Sequence, residues 1–119
     1  MYEVSVAVPL KFKHKLEGFG DDYKIIHEHT WHITVAFRVQ GLDERGASLD
    51  FVKLKKELAE LLYPLQDAML NEAAPFRDSP PTAENIARWV YGSFSTKYHG
   101  ILSSIKVGTP EENVTFFIE

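Results

Sequence analysis

The stretch HEHTWHITVAFRVQ, residues 27–40, decides the fold. From Trp31 onward, Ile33, Val35, Phe37 and Val39 recur at every second position. That period belongs to a strand with one face buried and one face in water. The three histidines at the start of the stretch lie on the same chain segment. If the strand runs back to residue 27, His27, His29 and Trp31 share a face and His32 lies on the other.

Outward from this strand, a simple architecture follows. YEVSVAV (2–8) alternates in the same way, with Tyr2, Val4, Val6 and Val8 on one side. Residues 15–26 carry Gly18, Gly20, Asp21 and Asp22 and read as a loop. After a connection at 41–46, Asp50 predicts a helix N-cap, followed by Phe51, Leu54, Leu58, Leu61, Leu62 and Leu65 at helical spacing. Pro64 predicts the end or a kink of that helix. Residues 71–81 read as a loop. Thr82 caps a second helix whose inner face is Ala83, Ile86, Ala87, Val90 and Phe94. ILSSIKV (101–107) and NVTFFIE (113–119) predict two further strands joined at Pro110. The order is ββααββ: an α+β domain over residues 1–119, with two helices on one face of an antiparallel sheet. The free edges of such a sheet favour closure by oligomerisation.

Composition narrows the function classes. A chain of 119 residues is one domain's worth. A net charge of −4, with no basic run, argues against a broad nucleic-acid footprint. No apolar run reaches the roughly 18 residues of a membrane span, and the N-terminus lacks the order of a secretory signal, so the expected location is cytoplasmic. On that ground Asn113-Val114-Thr115 is a chance match to a glycosylation acceptor. The chain has no cysteine, which excludes disulfides, thiolate ligands and a cysteine nucleophile.

Any metal must therefore sit on His, Asp or Glu. Two imidazoles at i and i+2 on a strand can hold one ion. His14 continues the even-numbered phase of the first strand, and a hairpin would set it opposite His27 and His29. Three histidines with an open fourth position is a catalytic rather than a closed structural arrangement. Zinc suits such a set, and so do nickel, copper and iron. The bland alternative is a histidine-rich strand end without a ligand; His32 and His99 read as surface residues.

Several segments together resemble one family. His14 after the first strand, HEHTW (27–31), GASLDFVKLK (46–55), PLQDAMLN (64–71) and PTAENIARWV (81–90) follow, in order, the pattern of the 6-pyruvoyl-tetrahydropterin and 6-carboxytetrahydropterin synthases. The resemblance implies a tunnelling fold whose subunits join their sheets into a barrel, commonly a homohexamer of two trimers with active sites between subunits. It implies Zn2+ on His14, His27 and His29. It implies a lyase acting on dihydroneopterin triphosphate or a related pterin, with loss of triphosphate or cleavage of a side-chain fragment.

The departures fall on the chemistry. The family's cysteine base lies a few residues before its H-G-H; on one common spacing Tyr23 stands there, and a tyrosine begins from a pKa of about 10. The family's Asp-His pair falls on Gln66 and Asp67, and its pterin-gripping glutamate on Gly108, with Glu111 and Glu112 nearby in the turn. The middle glycine of H-G-H is Glu28. Glu28, Asp22 and Asp67 are the expected replacement bases. Three readings stand: an enzyme with a rebuilt site on a pterin or another heterocycle, a non-catalytic homologue that binds metal and ligand, and a fold with a purely structural metal.

Overall fold

The computed structural model describes residues 1–119 as a four-stranded antiparallel sheet with helices on one face. The strands are β1 (Tyr2–His14), β2 (His27–Val39), β3 (Leu102–Gly108) and β4 (Asn113–Phe117), in the order β1-β2-β3-β4. The helices are a single turn α1 (Asp21–Lys24), then α2 (Phe51–Leu62) and α3 (Ala83–Phe94). The expected ββααββ order holds, with one helical turn inside the 15–26 loop, a 3-10 turn (Leu70–Glu72) at the start of the expected 71–81 loop and another (Ala74–Phe76) inside it. No helix is long and apolar enough to cross a membrane.

β1 outruns its expected end at Val8 by six residues, and the reason is chemical. Leu10, Phe12 and His14 continue the inward phase and are buried, while Lys11 and Lys13 face out. Pro9 does not disturb this phase. β1 is an edge strand, and the missing N–H of Pro9 lies on its outer side, where no strand needs it. Asp50 and Thr82 cap as expected: Asp50 Oδ1 accepts from the Val52 and Lys53 amides, and Thr82 Oγ1 from the Asn85 amide. Pro64 sits in a 3-10 turn, Tyr63–Leu65, which stops α2 at Leu62.

The core lies between the sheet and the two long helices. Leu54, Leu58 and Leu62 of α2 and Ile86, Val90 and Phe94 of α3 meet Leu10, Phe12, Ile33, Val35, Phe37, Ile105 and Val107 of the sheet. At the far end of α3, Tyr98 donates to Glu57 of α2 at 2.6 Å and Lys97 pairs with the same carboxylate, tying the helices together.

The outer edge of β1 is half closed. Gln66 bonds Pro9 O and the Lys11 amide, and the Asp67 amide bonds Lys11 O. The Lys13 amide reaches Ala68 O, and the Asn71 side chain brackets the Lys15 backbone. The edge groups of Glu3, Ser5 and Ala7, and all of β4's outer edge, have no strand beside them.

Candidate active site and metal centre

β1 and β2 pair so that Phe12 faces His29 and His14 faces His27. This register follows from the tight phase match of two strands that each bury one face. It brings His14, His27 and His29 together on the helix-facing side, at the end of the sheet. A nitrogen of each lies within 4.8 Å of those of the other two. The ring centroids are 4.5 Å apart for His14 and His27, 5.0 Å for His14 and His29, and 4.7 Å for His27 and His29. Trp31, next in phase on β2, stacks on His29 at 4.9 Å.

The protonation of the cluster suits a cation. His14 Nδ1 lies 3.0 Å from Pro81 O, and His27 Nδ1 lies 2.8 Å from Ile25 O. A carbonyl can only accept, so each Nδ1 carries a hydrogen and each neutral ring keeps its lone pair on Nε2. His14 is 1% exposed, and its Nε2 has no hydrogen-bond partner. A buried, unpartnered acceptor aimed at two other imidazoles is costly unless something binds it. Burial pushes the His14 pKa from 6.5 down to about 4; the hydrogen bond to the Pro81 carbonyl, the next largest influence, opposes it, and the neighbouring His27 and His29 add smaller downward pushes. Burial and His27 also lower His29, while the Glu112 carboxylate opposes that shift. Burial thus favours the neutral imidazole at His14 and His29, the form that ligates metals. His14, His27 and His29 are the residues that would hold such an ion, leaving a further coordination position for an oxygen ligand.

The three imidazoles open into a cavity of about 660 Å³. Trp31, Val107 and Val114 form part of its wall, with Phe19 and Tyr23 from the 15–26 loop. Its other wall is the turn between β3 and β4, which carries Glu111 and Glu112, and the first turn of α3, which carries Glu84. An apolar wall beside a few polar groups is the usual make-up of a small-molecule site.

The expected bases lie elsewhere in the chain. Glu28 sits opposite Lys13 in the strand pairing, so it projects from the other face of the sheet, where Lys11 Nζ meets it at 3.7 Å. Strand parity allows no other placement for a residue between two inward histidines. Asp22 is exposed on α1, and Asp67 is exposed beyond the β1 edge; neither lines the cavity. Gln66 and Asp67 serve the β1 edge instead. Tyr23 does face the cavity. Gly108 has φ +138°, and a Cβ there would lie 2.3 Å from Glu112 O, so no side chain can project from this position. The close approach folds the turn back over the end of β3. Glu112 thereby comes near enough to His29 for its charge to act on that ring. Glu84 and the Pro81 carbonyl were not visible as site components, because nothing in the local sequence says that the start of α3 abuts the end of β1.

The geometry agrees with comparisons to known proteins. Residues 3–118 match the family model described as 6-pyruvoyl tetrahydropterin synthase. The dihydroneopterin monophosphate aldolase of Pyrococcus furiosus is 33% identical over 70 residues, a match spanning 59% of this chain and 56%, about half, of that relative's length. Among solved structures, Caenorhabditis elegans 6-pyruvoyl tetrahydropterin synthase superposes with a TM-score of 0.82 at 19% identity, covering 99% of this chain and 96% of that one. An uncharacterized Wolinella succinogenes protein gives 0.78 at 15% identity, covering 99% and 98%. Plasmodium vivax 6-pyruvoyltetrahydropterin synthase gives 0.67 at 13%, covering 100% and 99%. These likenesses establish the tunnelling fold, and with a family model matched from Glu3 to Ile118 the chain belongs to the 6-pyruvoyl tetrahydropterin synthase family.

Proposed function

We propose that the chain is a zinc-dependent lyase that cleaves the side chain of a dihydroneopterin-type pterin by a retro-aldol reaction. The observation that carries this reading is the convergence of His14, His27 and His29, with an unpartnered buried Nε2, on an open cavity. Cleavage is favoured over triphosphate elimination by the 33% identity to an aldolase. The Gly108 and Gln66-Asp67 departures from the synthase pattern point the same way.

A divalent cation on the three imidazoles would bind side-chain hydroxyl oxygens of the substrate and make them more acidic. The remaining work falls to this chain's own groups. The C2′ hydroxyl loses its proton to a base, and the bond between C1′ and C2′ breaks. The electron pair moves into the C6–N5 imine, and C1′ then takes a proton. The products are a 6-hydroxymethyl pterin and a two-carbon aldehyde. Glu112 and Tyr23 face the cavity and can carry these protons. Asp22, Glu28 and Asp67 act only if a neighbouring subunit brings them to the site. Trp31 and the valines of β3 and β4 hold the ring and exclude water.

The free β4 edge and the unpaired half of β1 support an oligomer built by joining sheets, a hexamer in the arrangement the family resemblance implies. The deciding experiment mixes the zinc-loaded protein with dihydroneopterin and with dihydroneopterin triphosphate. The expected result is 6-hydroxymethyl pterin from a dihydroneopterin side chain, lost in Glu112→Gln or Tyr23→Phe. Triphosphate release without carbon–carbon cleavage would replace this reading with the synthase reaction. Tight binding without any turnover would make the protein a non-catalytic homologue.

A further inference from the structure

His14 is held in place by a distant part of the chain. Its Nδ1 lies 3.0 Å from the carbonyl of Pro81, 67 residues further on, whereas His27 bonds the carbonyl of Ile25, two residues before it. Pro81 is buried, and its carbonyl is aimed by its neighbours. The Thr82 amide donates to Pro80 O at 2.8 Å. That bond closes an inverse γ-turn centred on Pro81, whose ring already fixes φ in the range such a turn needs. The peptide between Pro81 and Thr82 is trans, so its N–H and C=O point in opposite directions. With the N–H turned onto Pro80 O, the C=O turns away, toward His14.

Asn85 pins this turn to α3. Its Nδ2 donates to the same Pro80 O at 2.8 Å, and its amide donates to Thr82 Oγ1 at 3.1 Å. The side chain at this third helical position often reaches back to the amide of the capping residue. Here the Thr82 amide is already on Pro80 O, and Asn85 goes to that acceptor instead. From this chain of contacts we infer that Asn85 is a positioning residue of the metal centre: by pinning Pro80 it aims the Pro81 carbonyl, and that carbonyl fixes the ring of His14. The inference rests on the metal reading above and is independent of which pterin reaction follows.

The carbonyl decides which nitrogen of His14 faces the other imidazoles. Phe12 packs edge-on against the ring at 5.1 Å and Trp31 at 5.5 Å, which holds its plane. These apolar contacts do not distinguish one ring nitrogen from the other. The bond to Pro81 O does, because it requires a hydrogen on Nδ1 and so leaves the lone pair on Nε2. The other neutral tautomer would turn an N–H toward the cation. Nor can water take over the role of Pro81, since His14 is 1% exposed. Partners that orient a ligating histidine through its second nitrogen are commonly worth about 10–100-fold in metal affinity. Asn85 acts one contact further out, so its loss should weaken zinc binding by about tenfold, at the low end of that range.

The test uses the full chain with Asn85→Ala and with Asn85→Leu, which keeps the side-chain volume and removes the donor. Zinc affinity is read by competition with a chromophoric chelator. In the metal-free proteins at neutral pH, long-range proton–nitrogen correlations read which nitrogen of His14 carries the hydrogen. Both variants should bind zinc about tenfold more weakly than the wild type. Both should also show His14 moving from the pure Nδ1–H form toward a mixture of tautomers. Tyr98→Phe loosens the far end of α3, where Tyr98 holds Glu57, and should keep the wild-type zinc affinity and tautomer. Wild-type affinity in either Asn85 variant, or an unchanged His14 tautomer, would overturn the inference and leave the metal reading standing. An equal loss of affinity in Tyr98→Phe would also overturn it, since general loosening would then be the cause. A wild-type chain that binds no zinc would overturn the metal reading and this inference together.

Discussion

Removing the metal and lowering the pH should expose the cost of burying His14. The imidazole is 1% exposed, with a pKa of about 4 in the folded chain against 6.5 for a free histidine. A group whose folded pKa lies below its unfolded value is protonated first in the unfolded chain. Between those two values the unfolded state binds the extra proton, so stability falls as the pH drops. No penalty exists above about pH 7, and the full penalty is present below about pH 4. At roughly 1.4 kcal/mol per pKa unit, the gap amounts to about 3 kcal/mol. That is a large fraction of the roughly 5–15 kcal/mol that holds a domain together. It corresponds to a fall in Tm of about 10 °C for a chain of this size. His29 is shifted in the same direction and adds to the effect. The assay is urea unfolding in chelator at pH 7, 6, 5 and 4, with His14→Gln beside the wild type. The variant lacks the titrating group and keeps the carboxylate background that both share. The wild type should lose about 3 kcal/mol more than the variant across this range. Parallel curves would refute the reasoning, since the burial of a neutral His14 would then cost nothing on protonation.

Other perturbations have equally definite outcomes. His14→Ala, His27→Ala and His29→Ala should each cut zinc retention on dialysis from about one ion per chain to a small fraction; retention in all three would remove the metal centre. Gly108→Ala should destabilise the chain by about 2–4 kcal/mol in urea unfolding, from the positive φ of +138° together with the 2.3 Å approach to Glu112 O. A change below 0.5 kcal/mol would mean that the turn relaxes freely. Tyr98→Phe removes the hydrogen bond to Glu57 and should cost about 1–2 kcal/mol by the same measurement. Leu58→Ala, at a site with no exposure between α2 and the sheet, should cost about 2–5 kcal/mol.

Much of this molecule is legible in one dimension because its elements carry clean periods. The alternation through Ile33, Val35 and Phe37 fixes β2 and its buried face, and the Asp50 and Thr82 caps fix where both long helices begin. The same alternation also placed the histidine trio, since His14, His27 and His29 share one inward phase. The cavity's acidic wall was hidden because it depends on tertiary approach. Glu112 reaches His29 only because Gly108 lets a turn fold back, and Glu84 reaches the cavity only because the Pro81 segment lies against His14. Glu28 shows the opposite limit. Its neighbourhood in sequence suggested a site residue, and strand parity sends it to the other face of the sheet.

The half-closed edge of β1 gives the sheet a direction. Gln66 and Asn71 occupy the backbone groups from Pro9 to Lys15 as another strand would, so the histidine end is sealed against lateral growth. At the β1 edge, a strand arriving from outside finds docking groups only at Glu3, Ser5 and Ala7. Any such strand must sit staggered toward the opposite end of the molecule. Pairing along the full length of β1 is thereby blocked, so a sheet extended at this edge is offset rather than flush.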